Sequence, residues 1–403
     1  MHPQNDKRCN SGALVQLVRM PACHAGGHEF ESRTHRKTLE SSLEHSSGLF
    51  IQNIITTMKQ TILVTGGTGF IGSHTTVELQ EAGYKVVIID NLSNSNINVL
   101  DGIEKITGQR PAFEKVDCCD MEALEGVFQK YPDIAGIIHF AASKAVGESV
   151  EKPLMYYRNN LMSLINLLEL MPKYDVKGII FSSSCTVYGQ PAPEHLPVTE
   201  DAPIQKAMSP YGNTKQINEE IIHDYIHSGA PIKSVILRYF NPIGAHPTAL
   251  IGELPNGVPM NLIPFVTQTA MGIREQLKIF GNDYNTPDKT CIRDYIYVVD
   301  LAKAHVKAME RVLDNPETDA VEIFNIGTGK GLSTLEVVQG FEKATGVKVN
   351  WTYAPRREGD IEQVWGNVDK ANKVLGWKAE TPTEEVLKSA WKWQQKLRED
   401  GIQ

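Results

Sequence analysis

Tyr211 and Lys215 have the residue types and the spacing that could carry chemistry most directly. Ser209 and Pro210 precede them and favour the first turn of a helix, which would place the pair four residues apart on one face. An ammonium group beside a phenol favours the phenolate and lowers the phenol pKa from its usual ~10. The spacing therefore predicts a general base, although a surface Tyr–Lys pair on an amphipathic helix fits the same pattern.

Three consecutive hydroxyl side chains stand upstream of this pair, where an apolar run ends. Residues 178–181 read as a buried strand, and Ser182, Ser183 and Ser184 follow it directly. Ligands of parallel sheets gather at the carboxyl ends of the strands. We therefore predict that these serines face a ligand, and a hydroxyl-rich turn is the simpler alternative.

The glycine-rich stretch 65–72 must position a second part of such a site. Gly67, Gly69 and Gly72 match the spacing G-x-G-x-x-G, and Gly66 with the last two matches G-x-x-G-x-x-G. An apolar run precedes the glycines and a helix-like stretch follows them. In that context small residues let the backbone approach a pyrophosphate at a helix N-terminus. A dinucleotide loop is predicted, with an ordinary strand-to-helix turn as the alternative reading.

Asp90 supports the dinucleotide interpretation. It ends a second predicted strand, residues 85–89, and lies eighteen residues after Gly72, where the adenosine ribose hydroxyls are expected. No Arg stands beside it, and a 2′-phosphate would meet a like charge. The sequence therefore favours NAD over NADP as cofactor.

The composition of the chain argues against general nucleic-acid binding and against a membrane protein. The chain has 403 residues, 41% hydrophobic and 22% charged, which suits a globular protein large enough for two domains. A net charge of −8 gives no general attraction to nucleic acid or membranes, and no apolar run reaches the length of a membrane span. The six cysteines lack metal-site spacing, so we predict free thiols, no metal and a cytoplasmic location.

Residues 1–57 differ from the rest of the chain. They are rich in Ser and His, nearly neutral and without sustained periodicity, and they lack the apolar core of a secretory signal. We predict a disordered extension, and Met58 could be a natural start of translation.

Beyond this extension, strand-like and helix-like runs alternate, which is typical of an α/β protein with a Rossmann-type, doubly wound parallel sheet. We assign residues 58–238 to this dinucleotide-binding domain. The rhythm changes after Tyr239, and residues 239–403 are predicted to form a smaller mixed α/β, substrate-binding domain, with exchange of segments between the two. The predicted strands are 85–90, 111–116, 134–140, 177–181, 232–237, 277–280, 323–326 and 347–353, and the predicted helices are 121–129, 154–171, 210–226, 262–271, 299–313, 334–344 and 383–398.

Taken together, these features resemble the extended short-chain dehydrogenase/reductase superfamily and, within it, the UDP-glucose (UDP-galactose) 4-epimerase family. The resemblance covers residues 58–395. The stretches that carry it are 65–72, 90–94, 139–142, 144–149, 156–160, 182–189, 237–242, 279–284, 293–295 and 354–360. So many matches in one order make the resemblance highly specific.

The resemblance implies NAD as cofactor, a UDP-hexose as substrate, and a role for each matching residue. Its catalytic group is Ser184, Tyr211 and Lys215. The implied cofactor-binding residues are Gly66, Gly69, Phe70, Ile71, Gly72, Asp90, Asn91, Asn94, Ser95, Asp117, Cys118, Phe140, Ala141, Ala142, Lys144, Asn159, Tyr211, Lys215 and Tyr239. The implied substrate-binding residues are Lys144, Ser184, Tyr211, Asn241, Asn261, Leu262, Lys278, Phe280, Arg293, Arg357, Asp360 and Val364.

The implied reaction inverts C4 of the hexose through a 4-keto sugar, with the cofactor regenerated in each cycle. Two alternatives stay open. A related dehydratase or decarboxylase needs a further acid and base, and the positions where dehydratases of this superfamily carry an Asp–Glu pair are Cys185 and Thr186 here. A non-catalytic dinucleotide-binding protein of the same fold usually lacks the Tyr–Lys pair.

Two finer expectations also follow from the resemblance. Val364 stands where the family has either a large Tyr or a smaller residue, and the smaller residue accompanies acceptance of N-acetylated hexoses, so action on UDP-N-acetylglucosamine is an additional hypothesis. Family members tend to form homodimers through helices of the sheet domain, for which residues 154–171 and 217–226 are candidates.

Overall fold

The computed structural model describes residues 59–316, 318–357 and 360–402. The predicted disordered extension, residues 1–57, lies outside them. In the described part of the chain, the strands are β1 (Thr61–Thr65), β2 (Lys85–Ile89), β3 (Ala112–Glu114), β4 (Ile134–His139), β5 (Gly178–Ser182), β6 (Lys233–Tyr239), β7 (Asn241–Ile243), β8 (Leu277–Phe280), β9 (Ile292–Arg293), β10 (Tyr295–Tyr297), β11 (Val321–Ile326), β12 (Leu332–Ser333), β13 (Trp351–Ala354) and β14 (Gln363–Val364).

The helices connect these strands. They are α1 (Phe70–Glu81), α2 (Val99–Thr107), α3 (Met121–Lys130), α4 (Val146–Glu151), α5 (Pro153–Lys173), α6 (Pro210–His227), α7 (Leu262–Ala270), α8 (Val298–Asp314), α9 (Thr334–Thr345) and α10 (Thr383–Glu399). None of these described helices combines the length and the apolar character needed to cross a lipid bilayer.

A seven-stranded sheet of the described residues carries the fold. Its order is β11-β6-β5-β4-β1-β2-β3, and every neighbouring pair is parallel. The order reverses between β1 and β4, which creates the topological switch point where such sheets open a crevice for ligands. The predicted fold class, a Rossmann-type doubly wound sheet, is confirmed.

Both faces of the sheet are buried, because successive residues of a strand point to opposite sides. Ile62 and Val64 of β1 enter a hydrophobic cluster that includes residues of α1 and α8, whereas Leu63 enters a second cluster with residues of α3, α5 and α6. The near-continuous apolar runs that predict buried strands reflect this double burial.

A smaller layer of short strands and helices is built from the later part of the chain. β7 pairs with β10, β8 pairs with β13, and β9 pairs with both β12 and β14. A separate hydrophobic cluster joins this layer to α7, α9 and α10. The predicted strand 323–326 exists as β11, but it pairs with β6 at the edge of the large sheet. The domain boundary at residues 238 and 239 stays a prediction, and β11 is a segment that crosses it.

Candidate active site

One cleft of about 2190 Å³ opens along the carboxyl ends of the central strands. Pockets for a single small ligand are usually about 300–1,000 Å³, so this cleft has room for two ligands side by side. Every residue with a predicted catalytic, cofactor or substrate role lines it, from Gly66 in the glycine loop to Val364 in β14. The sequence places these residues up to three hundred positions apart, and the fold brings them to one surface.

At Gly66 and Gly72 in the glycine loop, the neighbouring backbone leaves no room for a side chain. Gly66 has φ +67°, a conformation that side chains disfavour, and its N–H donates to the Ile89 carbonyl at 2.8 Å. A Cβ on Gly72 would lie 2.3 Å from the Gly66 carbonyl oxygen and 2.8 Å from Cα of Gly67. Helix α1 starts after Gly69 with no side chain capping its N-terminus. Its first N–H groups are therefore available to an anion in the cleft.

Asp90 is buried at the end of β2, and the protein itself orients its carboxylate. The N–H of Leu92 and the hydroxyl of Ser95 donate to Oδ1 at 2.8 and 2.9 Å, and the N–H of Thr68 donates to Oδ2 at 3.3 Å. A carboxylate offers about four acceptor positions, so capacity remains for the hydroxyls of a ribose. Asp90 therefore connects the glycine loop to the loop that follows β2.

The predicted catalytic residues meet where β5 ends and α6 begins. Ser209 caps α6 by accepting from the Gly212 N–H at 3.2 Å, as predicted, and Tyr211 lies in the first turn. The Lys215 ammonium donates to the Ser182 carbonyl at 2.6 Å and lies 5.9 Å from the centre of the Tyr211 ring. Tyr211 and Lys215 are both buried, and Ser184 lines the cleft beside them.

The pKa of Tyr211 moves in the direction opposite to the one that the Tyr–Lys spacing predicts. Burial raises it, and the nearby Tyr239 raises it further, while a hydrogen bond with Ser184 opposes the change. Burial also lowers the pKa of Lys215 to about 8, against the opposing charge of Glu219. The sequence-based expectation was wrong because it included the ammonium and omitted desolvation, which is the largest contribution for both groups.

Two further regions line the side of the cleft where the cofactor is predicted to bind. The N–H of Ala141 donates to the Thr65 hydroxyl at 3.2 Å, which ties the loop after β4 to the glycine loop. The Asn159 amide donates to the Ser143 hydroxyl at 3.3 Å beside the exposed Lys144. Cys118 lines the other end of the cleft and is buried. Burial raises the pKa of its thiol, so the side chain is neutral there.

Positive charge is concentrated at the opposite wall. Arg293 lies in β9, with its guanidinium on the carbonyls of Ile292 and Ile361 and 3.8 Å from the Asp360 carboxylate. Arg357 lies over the Phe280 ring at 4.6 Å and donates to Asp360 at 3.3 Å. Two forked cations at one wall are suited to a diphosphate.

Glu253 is a cleft residue that the sequence analysis missed. Its Oε1 accepts from the Asn261 amide at 2.5 Å, so it orients a predicted substrate-binding side chain. Burial raises its pKa, and Lys144 opposes that change. The residue lies in a Pro- and Gly-rich stretch without periodicity, so no local pattern marks it. Glu148 and Cys291 also line the cleft without having been predicted.

No group of three or more His, Cys, Asp or Glu side chains that could hold a metal ion occurs within residues 59–316, 318–357 and 360–402.

Comparison with known proteins assigns the chain to a family. The family model described as GDP-mannose 4,6 dehydratase matches residues 63–390. A UDP-glucose 4-epimerase from Bacillus subtilis is 51% identical over 333 residues, which cover 83% of this chain and 96% of that protein.

Two solved structures agree with this relationship. A Bifidobacterium longum UDP-glucose 4-epimerase in complex with NAD⁺ and UDP has 46% identity and a TM-score of 0.80, and the match covers 83% of this chain and 98% of that one. A Stenotrophomonas maltophila UDP-glucose-4-epimerase with bound NAD and formylated UDP-arabinopyranose has 43% identity and a TM-score of 0.81, and the match covers 85% and 100%. The chain therefore belongs to the UDP-glucose 4-epimerase family, within the larger group that the dehydratase model describes.

Proposed function

We propose that this protein interconverts UDP-glucose and UDP-galactose by transient oxidation at C4 of the hexose, with NAD held in the cleft as cofactor. The observation that carries the proposal is the meeting of Tyr211, Lys215 and Ser184 in a cleft that also contains the glycine loop and two arginines. The Bifidobacterium longum relative holds both NAD⁺ and UDP, which supports a site for two nucleotides.

The residues present fit NAD. The contact of Gly72 with Gly66 leaves the uncapped N-terminus of α1 open to a pyrophosphate, and Asp90 retains acceptor positions for a ribose. Asp90 is also a like charge for a 2′-phosphate, which favours NAD over NADP. When bound, NAD supplies the acceptor and then the donor of the hydride at C4.

Tyr211 is the proposed general base. It removes the proton of the 4-hydroxyl, directly or through Ser184, and returns it to the opposite face of the sugar. Its pKa is raised by burial, so a nearby positive charge must favour the phenolate. Lys215, whose ammonium lies 5.9 Å from the centre of the Tyr211 ring, supplies one such charge, and a cationic nicotinamide ring would supply another. Lys215 is held in place by the Ser182 carbonyl.

Inversion requires that the sugar turn over while the nucleotide stays bound. Arg293 and Arg357 hold the diphosphate in this proposal, with Asp360 beside them and Phe280 and Lys278 bordering the base. A firmly held nucleotide and a sugar with few charged contacts allow the rotation about the diphosphate link.

The chemistry beside Ser184 favours epimerisation over dehydration, although the family model is named for a dehydratase. Loss of water needs an additional acid and base next to the sugar. Burial raises the pKa of Cys185 to about 12, so its thiol is neutral, and Thr186 carries no ionisable group. Neither residue supplies the carboxylate that a dehydratase needs.

The proposed activity is tested by proton NMR on purified protein with UDP-galactose and, separately, UDP-glucose. We expect each sugar to convert to the same equilibrium mixture without added NAD, because the bound cofactor is regenerated in each cycle. Protein that carries bound dinucleotide and leaves both sugars unchanged would refute the epimerase proposal and favour the non-catalytic alternative.

The action on N-acetylated sugars is proposed from Val364. Its side chain is buried against Cys185 and Phe240 at the edge of the cleft, so its size limits the room beside the sugar. In Val364→Tyr we expect loss of activity on UDP-N-acetylglucosamine by about tenfold or more, with UDP-glucose changed by less than about threefold. The measurement is kcat/KM for both substrates, and an equal loss of both would contradict gating by this position.

We also propose a homodimer through α5 and α6. Leu154 is 78% exposed on α5, and Met155 and Met162 are exposed on the same helix. Burying such side chains against a second copy would be favourable. Sedimentation equilibrium tests the assignment, and a monomer at micromolar concentration would rule it out.

A cytoplasmic location is proposed from the thiols. The four described cysteines, at positions 118, 119, 185 and 291, are unpaired, as expected in a reducing compartment. Cell fractionation is the check, and recovery of the protein from an oxidising compartment would oppose this location.

A further inference from the structure

Glu219 and Arg238 form a buried ion pair just behind the candidate active site. Their side chains are only 10% and 5% exposed. Arg238 donates through Nε to both carboxylate oxygens, at 3.1 and 3.2 Å, and through Nη2 to Oε2 at 2.6 Å. A well-packed apolar pair of similar volume is often as stable as a buried ion pair, so stability alone is a weak explanation for these charges.

The pair connects to the site through one hydroxyl. Ser183 donates to Glu219 Oε1 at 2.5 Å. Its neighbour Ser182 provides the carbonyl that accepts from Lys215, and its other neighbour, Ser184, hydrogen-bonds to Tyr211. Glu219 therefore anchors the middle of a three-residue segment whose two ends contact the groups with proposed roles in catalysis.

Arg238 is itself fixed from the far side. Its Nη1 donates to the Tyr188 hydroxyl at 3.2 Å and to the Glu200 carbonyl at 3.1 Å, and Tyr188 donates to Asn325 at 2.7 Å. Glu219 is thus held by an arginine that has little freedom to move, and that rigidity is transmitted to the serine segment. A displacement of about 1 Å in a reacting group can cost about a hundredfold in rate.

Glu219 also faces Lys215 on α6, one turn further along the helix. Three other titratable groups lie around Lys215. Tyr211 is on the same helix, His139 on β4 feels the charge of Lys215, and Tyr239 on β6 hydrogen-bonds to the Ser182 hydroxyl. Burial lowers the pKa of His139 to about 3 and raises that of Tyr239 to about 12, so both are neutral near pH 7. Glu219 is the partner whose charge favours the ammonium of Lys215.

We propose that Glu219, clamped by Arg238, is a positioning residue that holds the Ser182–Ser184 segment and Lys215 in place for proton transfer by Tyr211. The inference rests on the proposed epimerase function. It concerns a residue outside the cleft lining, which acts through Ser183 and Lys215 and touches neither substrate nor cofactor.

The test compares Glu219→Gln with Glu322→Gln in the full-length protein. Glu322 forms a similar buried pair with Arg311, at 2.5 Å, on the outer strand β11 and away from the cleft, so it is the matched control. We expect Glu219→Gln to lower kcat by about ten- to hundredfold with KM changed by less than about threefold. Glu322→Gln should lower the free energy of unfolding measured in urea and keep kcat within about twofold of the wild type.

The pH profile adds a readout that a merely structural residue would not move. Removing the carboxylate charge lowers the pKa of Lys215 below its value of about 8, so the ammonium is lost at lower pH. The alkaline limb of kcat should shift to lower pH by about half a unit or more in Glu219→Gln and stay unchanged in Glu322→Gln.

Ser183→Ala keeps the ion pair and removes only the hydrogen bond, so it covers the case in which Glu219→Gln fails to fold. We expect kcat to fall by about threefold or more with KM retained. Variants at 219 and 183 that match the control in kcat and pH profile would overturn the positioning role alone. Wild-type protein without epimerase activity would overturn the proposed function, and this inference with it.

Discussion

Replacing Tyr211 by Phe is expected to lower kcat for epimerisation by about 10³-fold or more, while the amount of bound dinucleotide stays close to that of the wild type. General acid–base groups contribute about 10²–10⁴-fold, and this phenol is the proposed base for both proton transfers. The ring is buried, so Phe fills the same volume and the local packing survives. The measurement combines the NMR rate with quantification of dinucleotide released by denaturation.

A matched control is available at Tyr174, which directly follows the last residue of α5. The hydroxyl of Tyr174 donates to Glu125 at 2.7 Å, outside the cleft. Tyr174→Phe should reduce stability by about 1 kcal/mol and leave kcat unchanged. Retention of more than about a tenth of wild-type kcat in Tyr211→Phe would exclude the phenol as the base and would favour a role for Ser184 in the proton transfer.

Replacing Gly72 by Ala is expected to remove the dinucleotide almost completely. The added Cβ would lie 2.3 Å from the Gly66 carbonyl oxygen and 2.8 Å from the Gly67 Cα, and both of these atoms belong to the backbone. The loop can relieve the clash only by moving, and that movement displaces the N-terminus of α1, where we propose that the pyrophosphate binds. We expect bound dinucleotide to fall by about tenfold or more and the free energy of unfolding to fall by about 1–3 kcal/mol.

Gly126→Ala provides the same chemical change without the clash. Gly126 lies in α3 with open space around the position of its Cβ, so alanine should stabilise the helix by up to about 1 kcal/mol and leave cofactor content unchanged. Released dinucleotide and urea unfolding are measured for both variants. Normal cofactor content in Gly72→Ala would contradict the role given to this loop.

Several parts of the fold are visible in the sequence as local patterns. The glycine spacing, the carboxylate at position 90 and the apolar runs of β4 and β5 are local patterns, and each depends on periodicity or on distances along a single stretch of chain. They were therefore sufficient to predict the parallel sheet, whereas the cofactor role of the glycine loop stays a prediction. The short strands of the later half were missed because two- and three-residue pairings leave no periodic pattern, and α2 and α4 were also not predicted.

The strand 323–326 shows the limit of such patterns. Its apolar run predicts a strand, but its partner, β6, lies about eighty residues away in sequence. Which sheet a strand joins depends on the packing of the intervening helices, and that information is not local. The same holds for Glu253, whose contact with Asn261 follows from the path of an irregular loop.

Residue types and short-range spacing are sufficient to identify the chemical groups that the protein carries and the order of the elements that present them. How these groups behave depends on the surroundings that the folded chain gives them. Burial lowers the pKa of Lys215 and raises that of Tyr211. The change at Tyr211 is opposite to the one that the Tyr–Lys spacing predicts. The fold also brings Glu219 and Arg238 together behind Tyr211 and Lys215. Desolvation and long-range ion pairing depend on what surrounds a side chain in three dimensions, and no pattern along the chain reports that environment.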